Sequence, residues 1–394
     1  MKPVPLEERL EALLDEPMSA VVRREQTTFD ELTGPNSERL VLFGAGGLGR
    51  KAMAGLRQVG VEPLAFADND QVLWGTSIDG VPVMSPRDAA AKYGREAAFV
   101  VTIWRGESRD VMAERRQQLL DLGCSCVVTF APLFWKYSDV FLPHYALDLP
   151  ERTAAQADVI RAVFSLWADE ASRREYLAQI EWRMMAEFDS LPRPVGHEIY
   201  FPDDLVDLRP DEVFVDCGAY DGDTIRSLLQ RGGILDRRVV AFEPDPSNFR
   251  QLEEYVATLP APVRGRIEVV QAAVGARHCQ VQFDATGTEA AAVGSGGARV
   301  ECVALDEAAG PRHPTFVKMD IEGSELDAVT GAAKVISDSR PVMAICVYHR
   351  QDHVWRVPAA LADITCGYRF YLRPHLLEVW DLVCYAVPEK RRKA

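Results

Sequence analysis

The sequence predicts an α/β protein with two mostly parallel sheets, one in each half, joined by a helical connector. Three observations lead there. Apolar strand-forming runs stop at glycine turns and restart as helices twice, at Arg39-Leu-Val-Leu-Phe43 before Gly44-Ala-Gly-Gly-Leu-Gly49, and along Val213-Phe-Val-Asp-Cys-Gly-Ala-Tyr-Asp-Gly-Asp-Thr224. Strand and helix patterns alternate after each, the order that builds parallel sheets. Between them, Pro132, Pro143 and Pro150 give way to helical periodicity. At 394 residues the chain exceeds one ordinary core, so two domains are expected.

A hydrophobic share of 47% with 26% charged residues is that of a globular protein. The net charge of −15 argues against nucleic-acid binding, which needs basic surface to displace counterions. No apolar run reaches the roughly 20 residues of a membrane span, and the first residues lack the apolar segment of a signal peptide. Eight cysteines without paired spacing read as free thiols of a reducing cytoplasm. Cys124-Ser-Cys126 is the close pair, and no neighbouring ligand completes a zinc set. Assembly into a homo-oligomer is compatible with all of this.

Residues 1–35 are expected as a helical lead-in, with Leu6, Leu10, Leu13 and Leu14 at helical spacing. The first α/β domain follows over 36–130. Its second strand is placed at 61–67, a hairpin at 75–83 and another strand at 98–103. Gly44, Gly46 and Gly49, with Asp68 at the end of the second strand, have the dinucleotide-binding spacing. Phe43-Gly-Ala-Gly-Gly-Leu-Gly49, Phe66-Ala-Asp-Asn-Asp70 and Ile78-Asp-Gly-Val-Pro-Val83 resemble the small Rossmann-like domain of sugar acyltransferases and nucleotide-sugar-modifying enzymes. The resemblance implies a nucleotide or nucleotide-linked-sugar pocket near 44–49. A domain that keeps these glycines only for its fold is the alternative. The connector or lid, 131–198, carries an apolar face with Val159, Val163, Leu166, Trp167, Tyr176, Ile180 and Met184.

The second domain, 199–394, opens on an acidic glycine turn. Asp216, Asp221 and Asp223 repel the phosphates that a neutral glycine loop would welcome. They suit a ligand with a cationic centre and free hydroxyls, such as S-adenosylmethionine. Glu243 stands at the tip of the next strand, where a carboxylate accepts both ribose hydroxyls. The run 267–274 is read as one strand whose small last residues let an adenine lie against backbone, and 287–297 as a glycine-rich loop beside the site.

Asp216-Cys-Gly-Ala-Tyr-Asp-Gly-Asp-Thr224, Ala241-Phe-Glu-Pro-Asp245, Gln271-Ala-Ala-Val-Gly275 and Lys318-Met-Asp-Ile-Glu-Gly-Ser-Glu325 together resemble the FkbM family of S-adenosylmethionine-dependent methyltransferases, over about 200–387 and in the family's order. The resemblance implies a seven-stranded, mostly parallel sheet with an antiparallel last strand, and O-methylation of a sugar, glycoside or related metabolite. Thr288-Glu-Ala-Ala-Ala292 departs from the family's serine-rich patch, so the substrate carries over less well than the cofactor. Carried over, Asp216, Gly218, Ala219, Tyr220, Asp221, Gly222, Asp223 and Thr224 would hold the methionine end and ribose. Glu243, Pro244 and Asn248 would hold the ribose side, Ala272 and Ala273 the adenine, and Asp320 would border the cofactor.

For chemistry, Asp320, Glu322 and His349 end neighbouring strands at one sheet edge. Either a carboxylate or the histidine is the base, or together they bind a divalent ion such as Mg2+ that lowers the hydroxyl's pKa. Lys318, two residues before Asp320 in a strand, points the same way, as a catalytic group or as the partner of a buried acid. Glu325 reads as a helix-start cap, and His353 as a group that can reach substrate. An NAD(P)-dependent sugar-nucleotide oxidoreductase or epimerase using 44–49, and a non-enzymatic sensing or assembly module, are the other readings. No Tyr-x-x-x-Lys pair follows the first strand set.

Overall fold

The computed structural model describes residues 4–105, 111–194, 196, 198–231, 237–284, 292–293 and 297–391. The chain divides into two compact units, the first of Met1–Asp158, Arg174–Arg193 and Leu376–Trp380, the second of Val159–Arg173, Pro194–His375 and Asp381–Ala394. No helix among the described residues is long and apolar enough to cross a membrane. All eight cysteines are free thiols.

The first unit opens on helices Leu6–Leu14 and Met18–Thr33. Its strands are β1 (Leu40–Phe43), β2 (Ala65–Ala67), β3 (Ser77–Ile78), β4 (Val81–Met84), β5 (Ala98–Val101) and β6 (Val127–Thr129), in the order β3-β4-β2-β1-β5-β6. All neighbours are parallel but the β3–β4 hairpin, whose two-residue turn Asp79-Gly80 has φ of 47° and 88°, the left-handed pair that suits strand twist. β1 and β5 are buried along their whole length, as apolar strands covered on both faces must be. β2 is shorter than its apolar run, because Pro63 has no N–H and pairing starts when Leu64 N–H donates to Leu40 O at 2.8 Å. Gly49 lets the helix Gly47–Gln58 pack on the turn, since a Cβ there would fall 1.9 Å from Gly44 O. Trp104, Phe130, Trp182 and Phe188 close the core at the carboxyl edge, with Trp104 5.2 Å from Phe130 and 5.8 Å from Trp182.

In the second unit the main strands are β7 (Val213–Cys217), β8 (Arg238–Phe242) and β9 (Ile267–Val270). A second sheet uses β10 (Ala273–Val274), β11 (Cys279–Asp284), β12 (Ala292–Val293) and β13 (Ala298–Val303), before β14 (Phe316–Met319), β15 (Val342–Cys346), β16 (Tyr368–Pro374) and β17 (Leu382–Pro388) return to the first. The seven-stranded sheet runs β16-β17-β15-β14-β7-β8-β9, with β17 antiparallel to both neighbours and every other pair parallel. The expected fold, down to the reversed strand, is the one observed. The expectation of a single strand over 267–274 is corrected. Ala272 N–H turns back onto Val270 O at 3.0 Å, and Ala273 then pairs with Cys302 in the four-stranded sheet. Most of the glycine-rich stretch 287–297, and of the departure at 288–292, lies outside the described residues.

The stretch 157–185 forms helices Ala157–Phe164 and Glu170–Met185. Between them, Ala168 N–H donates to Phe370 O at 2.9 Å, and in the second helix's first turn Ser172 Oγ accepts from Leu372 N–H at 2.9 Å. These bonds cover the open edge of β16. Arg373 ties them down, bonding Asp169 at 2.6 Å, Asp204 at 3.0 Å and Ser172 Oγ at 2.9 Å.

Candidate active site

The turn after β7 is built around Gly218. Its φ is 80°, and a Cβ would lie 1.9 Å from Asp320 O, so the backbone leaving β7 touches the backbone leaving β14. Gly218 and Ala219 N–H groups both donate to Phe242 O at 3.0 Å, and Gly222, at φ 90°, precedes the helix Asp223–Gln230. Tyr220, at φ 47°, gives its N–H to Glu243 Oε2 at 2.9 Å. The other Glu243 oxygen accepts from Asp245 N–H at 2.9 Å. Asp245 caps the helix Pro246–Thr258, and Asn248 is buried in its first turn beside the half-buried Pro244. Burial pushes Glu243 up to about 7, and the two backbone donors work against that rise.

Asp216 lies level with Lys318 on β14. Lys318 Nζ is 3.1 Å from Asp216 Oδ1 and donates to Gly218 O at 2.6 Å, and both side chains are fully buried. Burial works against the lysine's charge, but Asp216, Asp320 and Asp223 hold its pKa above the ordinary value. Burial also raises Asp216, to about 6, with Lys318 pulling it back. Neither Asp216 oxygen has a hydrogen bond of normal geometry among the described residues. Asp221 is paired with Arg226, Asp223 is exposed and Thr224 buried. Ala272 and Ala273 are buried where the chain leaves β9.

The second cluster follows β14 and β15. Asp320 N–H donates to Cys217 O at 3.0 Å, which seats it beside the turn. Glu322 and Gly323, at φ 53° and 96°, fold the chain back before the helix Glu325–Thr330. His349 Nε2 then lies 3.3 Å from Asp320 Oδ1 and 3.2 Å from Glu322 Oε1, while Nδ1 is 2.7 Å from Glu325 Oε1. Burial opposes charge on both His349 and Glu325. Their mutual attraction, with Glu322 adding to it, holds the histidine well above and the glutamate well below their ordinary ranges.

Two residues of this cluster escaped the sequence. Glu325 does cap, accepting from Ile321 N–H at 3.0 Å and Gly323 N–H at 3.3 Å, but it also binds His349 and lies 3.1 Å from His353 Nδ1. Tyr200, in the segment before β7, donates its hydroxyl to Asp320 Oδ2 at 2.7 Å and lies under Lys318 Nζ, 5.1 Å from the ring centre. Glu325 was signalled by the acids around Gly323; nothing in the sequence near Tyr200 pointed to it.

In the first unit, Asp68 Oδ2 accepts from Ala45 N–H at 2.6 Å and Oδ1 from Asp70 N–H at 2.8 Å, so the expected ribose acid pins the turn that carries Gly44 and Gly46. Arg105 lies over Gly46, 2.9 Å from where a Cβ would be. Lys51, on the helix that contains Gly49, is 3.0 Å from His144 Nδ1.

The family described as methyltransferase FkbM domain matches residues 216–370. The structure is similar to that of methyltransferase FkbM from Methylobacillus flagellatus KT, with a TM-score of 0.76 and 24% identity over 97% of this chain and 98% of that one. At that identity the likeness is one of fold. Weaker likenesses, each with a TM-score of 0.29, are to a precorrin-6y C5,15-methyltransferase from Geobacter metallireducens GS-15 (13% identity, 46% of this chain and 83% of that one) and to fibrillarin from Aeropyrum pernix in complex with S-adenosyl-L-methionine (17%, 46% and 70%). None of the curated proteins matches the sequence. The acidic turn, the glutamate after β8 and the cluster after β14 all fall inside the segment, residues 216–370, that matches the methyltransferase FkbM domain.

Proposed function

We propose that the chain is a methyltransferase of the FkbM type that uses S-adenosylmethionine and methylates a hydroxyl of a sugar, glycoside or related metabolite. The carrying observation is that Asp216, buried and without a well-formed hydrogen bond among the described residues, and Glu243, held by the N–H of Tyr220, stand at the carboxyl ends of the paired strands β7 and β8. Asp216 offers an acceptor to a ligand's ammonium, and Glu243 offers lone pairs to a vicinal diol. Gly218 lets the backbone leaving β7 touch that leaving β14, which brings Asp320 beside the turn, and buried Ala272 and Ala273 offer an apolar wall to a planar base. When bound, the cofactor supplies an electrophilic methyl group on a sulfonium sulfur.

Transfer breaks the S–CH3 bond, forms an O–CH3 bond and releases the hydroxyl proton. Asp320, Glu322 and His349 support the second half of the reading. They either receive that proton or hold a divalent ion that lowers the hydroxyl's pKa, while Lys318 keeps positive charge beside Asp216. The first unit's glycine turn, with Arg105 and Lys51 nearby, supports a separate role in binding an anionic group, such as that of a nucleotide-linked sugar. Calorimetric titration of the intact protein with S-adenosylmethionine tests the reading. Saturable heat that disappears in an Asp216→Ala, Glu243→Ala double variant is expected, and no heat, or unchanged binding in that variant, rejects it.

A further inference from the structure

The geometry points to a divalent-cation site at the carboxyl ends of β14 and β15, with His349 Nε2, Asp320 Oδ1 and Glu322 Oε1 as ligands, and with Glu325 and Tyr200 as the groups that aim them. The ion's role, polarising the acceptor hydroxyl, rests on the methyl-transfer reading; the site itself rests on the side chains.

Glu325 Oε1 already accepts two backbone N–H groups, so it is a carboxylate oxygen with no proton to give, and the 2.7 Å contact is a bond donated by His349 Nδ1–H. That turns Nε2 towards the other two acids. The His349 side chain is only 2% exposed, and Nε2 is ion-paired with Asp320 Oδ1 at 3.3 Å and Glu322 Oε1 at 3.2 Å. A divalent ion bound there would replace the imidazolium proton that pairs with these two acids in its absence. Ligand bonds of about 2.1 Å at right angles put neighbouring donor atoms about 3 Å apart, close to both separations seen at Nε2.

Asp320 makes the same case from the other side. Tyr200 fixes its Oδ2, while Oδ1, facing His349, has no hydrogen bond among the described residues. Donor atoms of Asp320, Glu325 and His349 also fall within 4.8 Å of one another. Glu325 is placed outside the ligand set because its Oε1 is taken by Nδ1–H and the two backbone donors. A buried carboxylate behind a histidine is the usual way to set the tautomer and strengthen a metal-ligating nitrogen. One imidazole with two carboxylates suits a cation between the oxygen-seeking and nitrogen-seeking ions, and Mn2+ is the apt probe.

The test is Mn2+ titration of the full chain, read by the electron paramagnetic resonance signal of free Mn2+, beside S-adenosylmethionine titration by calorimetry. One saturable Mn2+ per chain is expected. His349→Gln should abolish it, while Tyr200→Phe and Glu325→Gln, which leave all three ligands in place, should weaken it ~10- to 100-fold. Retained donor binding in each variant shows that the fold has survived. A wild-type chain that binds the methyl donor but not Mn2+ overturns the cation site and leaves the methyl-transfer reading standing, with a buried imidazolium balancing the acids instead. Equal Mn2+ affinity in wild type and His349→Gln overturns the site as well. Binding of Mn2+ without the donor would support the site and count against the reading.

Discussion

Glu243 is pulled two ways: burial favours its protonated form, whereas the backbone N–H groups of Tyr220 and Asp245 favour the carboxylate. With its folded pKa near 7 and an ordinary value of 4.5, the folded protein binds the extra proton between those values. Its contribution to stability is therefore fully present below about pH 4.5 and is lost as the pH rises through about 7. Donor binding should move the opposite way, because the carboxylate is the form that accepts two hydroxyls. Affinity for S-adenosylmethionine is expected to rise from pH 6 to pH 8 in the wild type and to rise less in Glu243→Gln, where only Asp216, at about 6, still titrates near that range, measured by calorimetry. An equal rise in both proteins would show that another group carries the effect. At this scale the sequence is legible where one residue has one job. Asp216, Gly218 and Glu243 announce themselves by lying at strand ends and turns. Glu325 does two jobs, and the visible one, capping, hides the other. Tyr200 is brought to Asp320 across 120 residues of chain, a pairing that no local pattern encodes.

At the scale of elements, strands flanked by glycine were readable because parallel strands covered on both faces are continuous apolar runs. The break between β9 and β10 was not. Val269, Val270, Ala272, Ala273 and Val274 keep the run apolar, and the turn between them uses neither glycine nor proline. The cover on β16 was equally invisible, since it depends on Ser172 and Asp169 meeting a strand some 200 residues later. An uncovered edge strand invites pairing with other chains. Arg373→Met, which keeps the aliphatic bulk but leaves Asp169 and Asp204 facing each other, should lower stability by ~1–3 kcal/mol. The figure is below that of a fully buried pair because both aspartates are about a third exposed. Urea denaturation gives the difference, and a change within ±0.5 kcal/mol would mean the arginine is incidental.

At the scale of the molecule, a mostly parallel sheet in each half could be read from the alternation of patterns, but the four-stranded sheet and the division of the chain between the units could not. Leu376–Trp380, between β16 and β17, belongs to the first unit. There Glu378 pairs with buried Arg115 and accepts from Met112 N–H, its carbonyl accepts from Trp104 Nε1–H at 3.0 Å, and Val379 joins the core. Glu378→Ala should therefore loosen a unit remote in sequence. Hydrogen exchange is expected to speed up in β5 and the helix Met112–Asp121, corresponding to ~2–4 kcal/mol of lost protection, while β7 and β14 are little changed. Faster exchange confined to β16 and β17 would contradict this.

The same exchange of segments bears on how the protein is made. A chain leaving the ribosome ordinarily folds its leading domain while the rest is still being synthesised. Here the leading unit lacks Glu378, one partner of Arg115, and Val379 of its core until residue 380 has emerged. Its early residues wait, with Phe99, Phe130 and Trp182 in an unfinished interior, so a nascent chain stalled before residue 376 should depend on holding chaperones where the full chain does not.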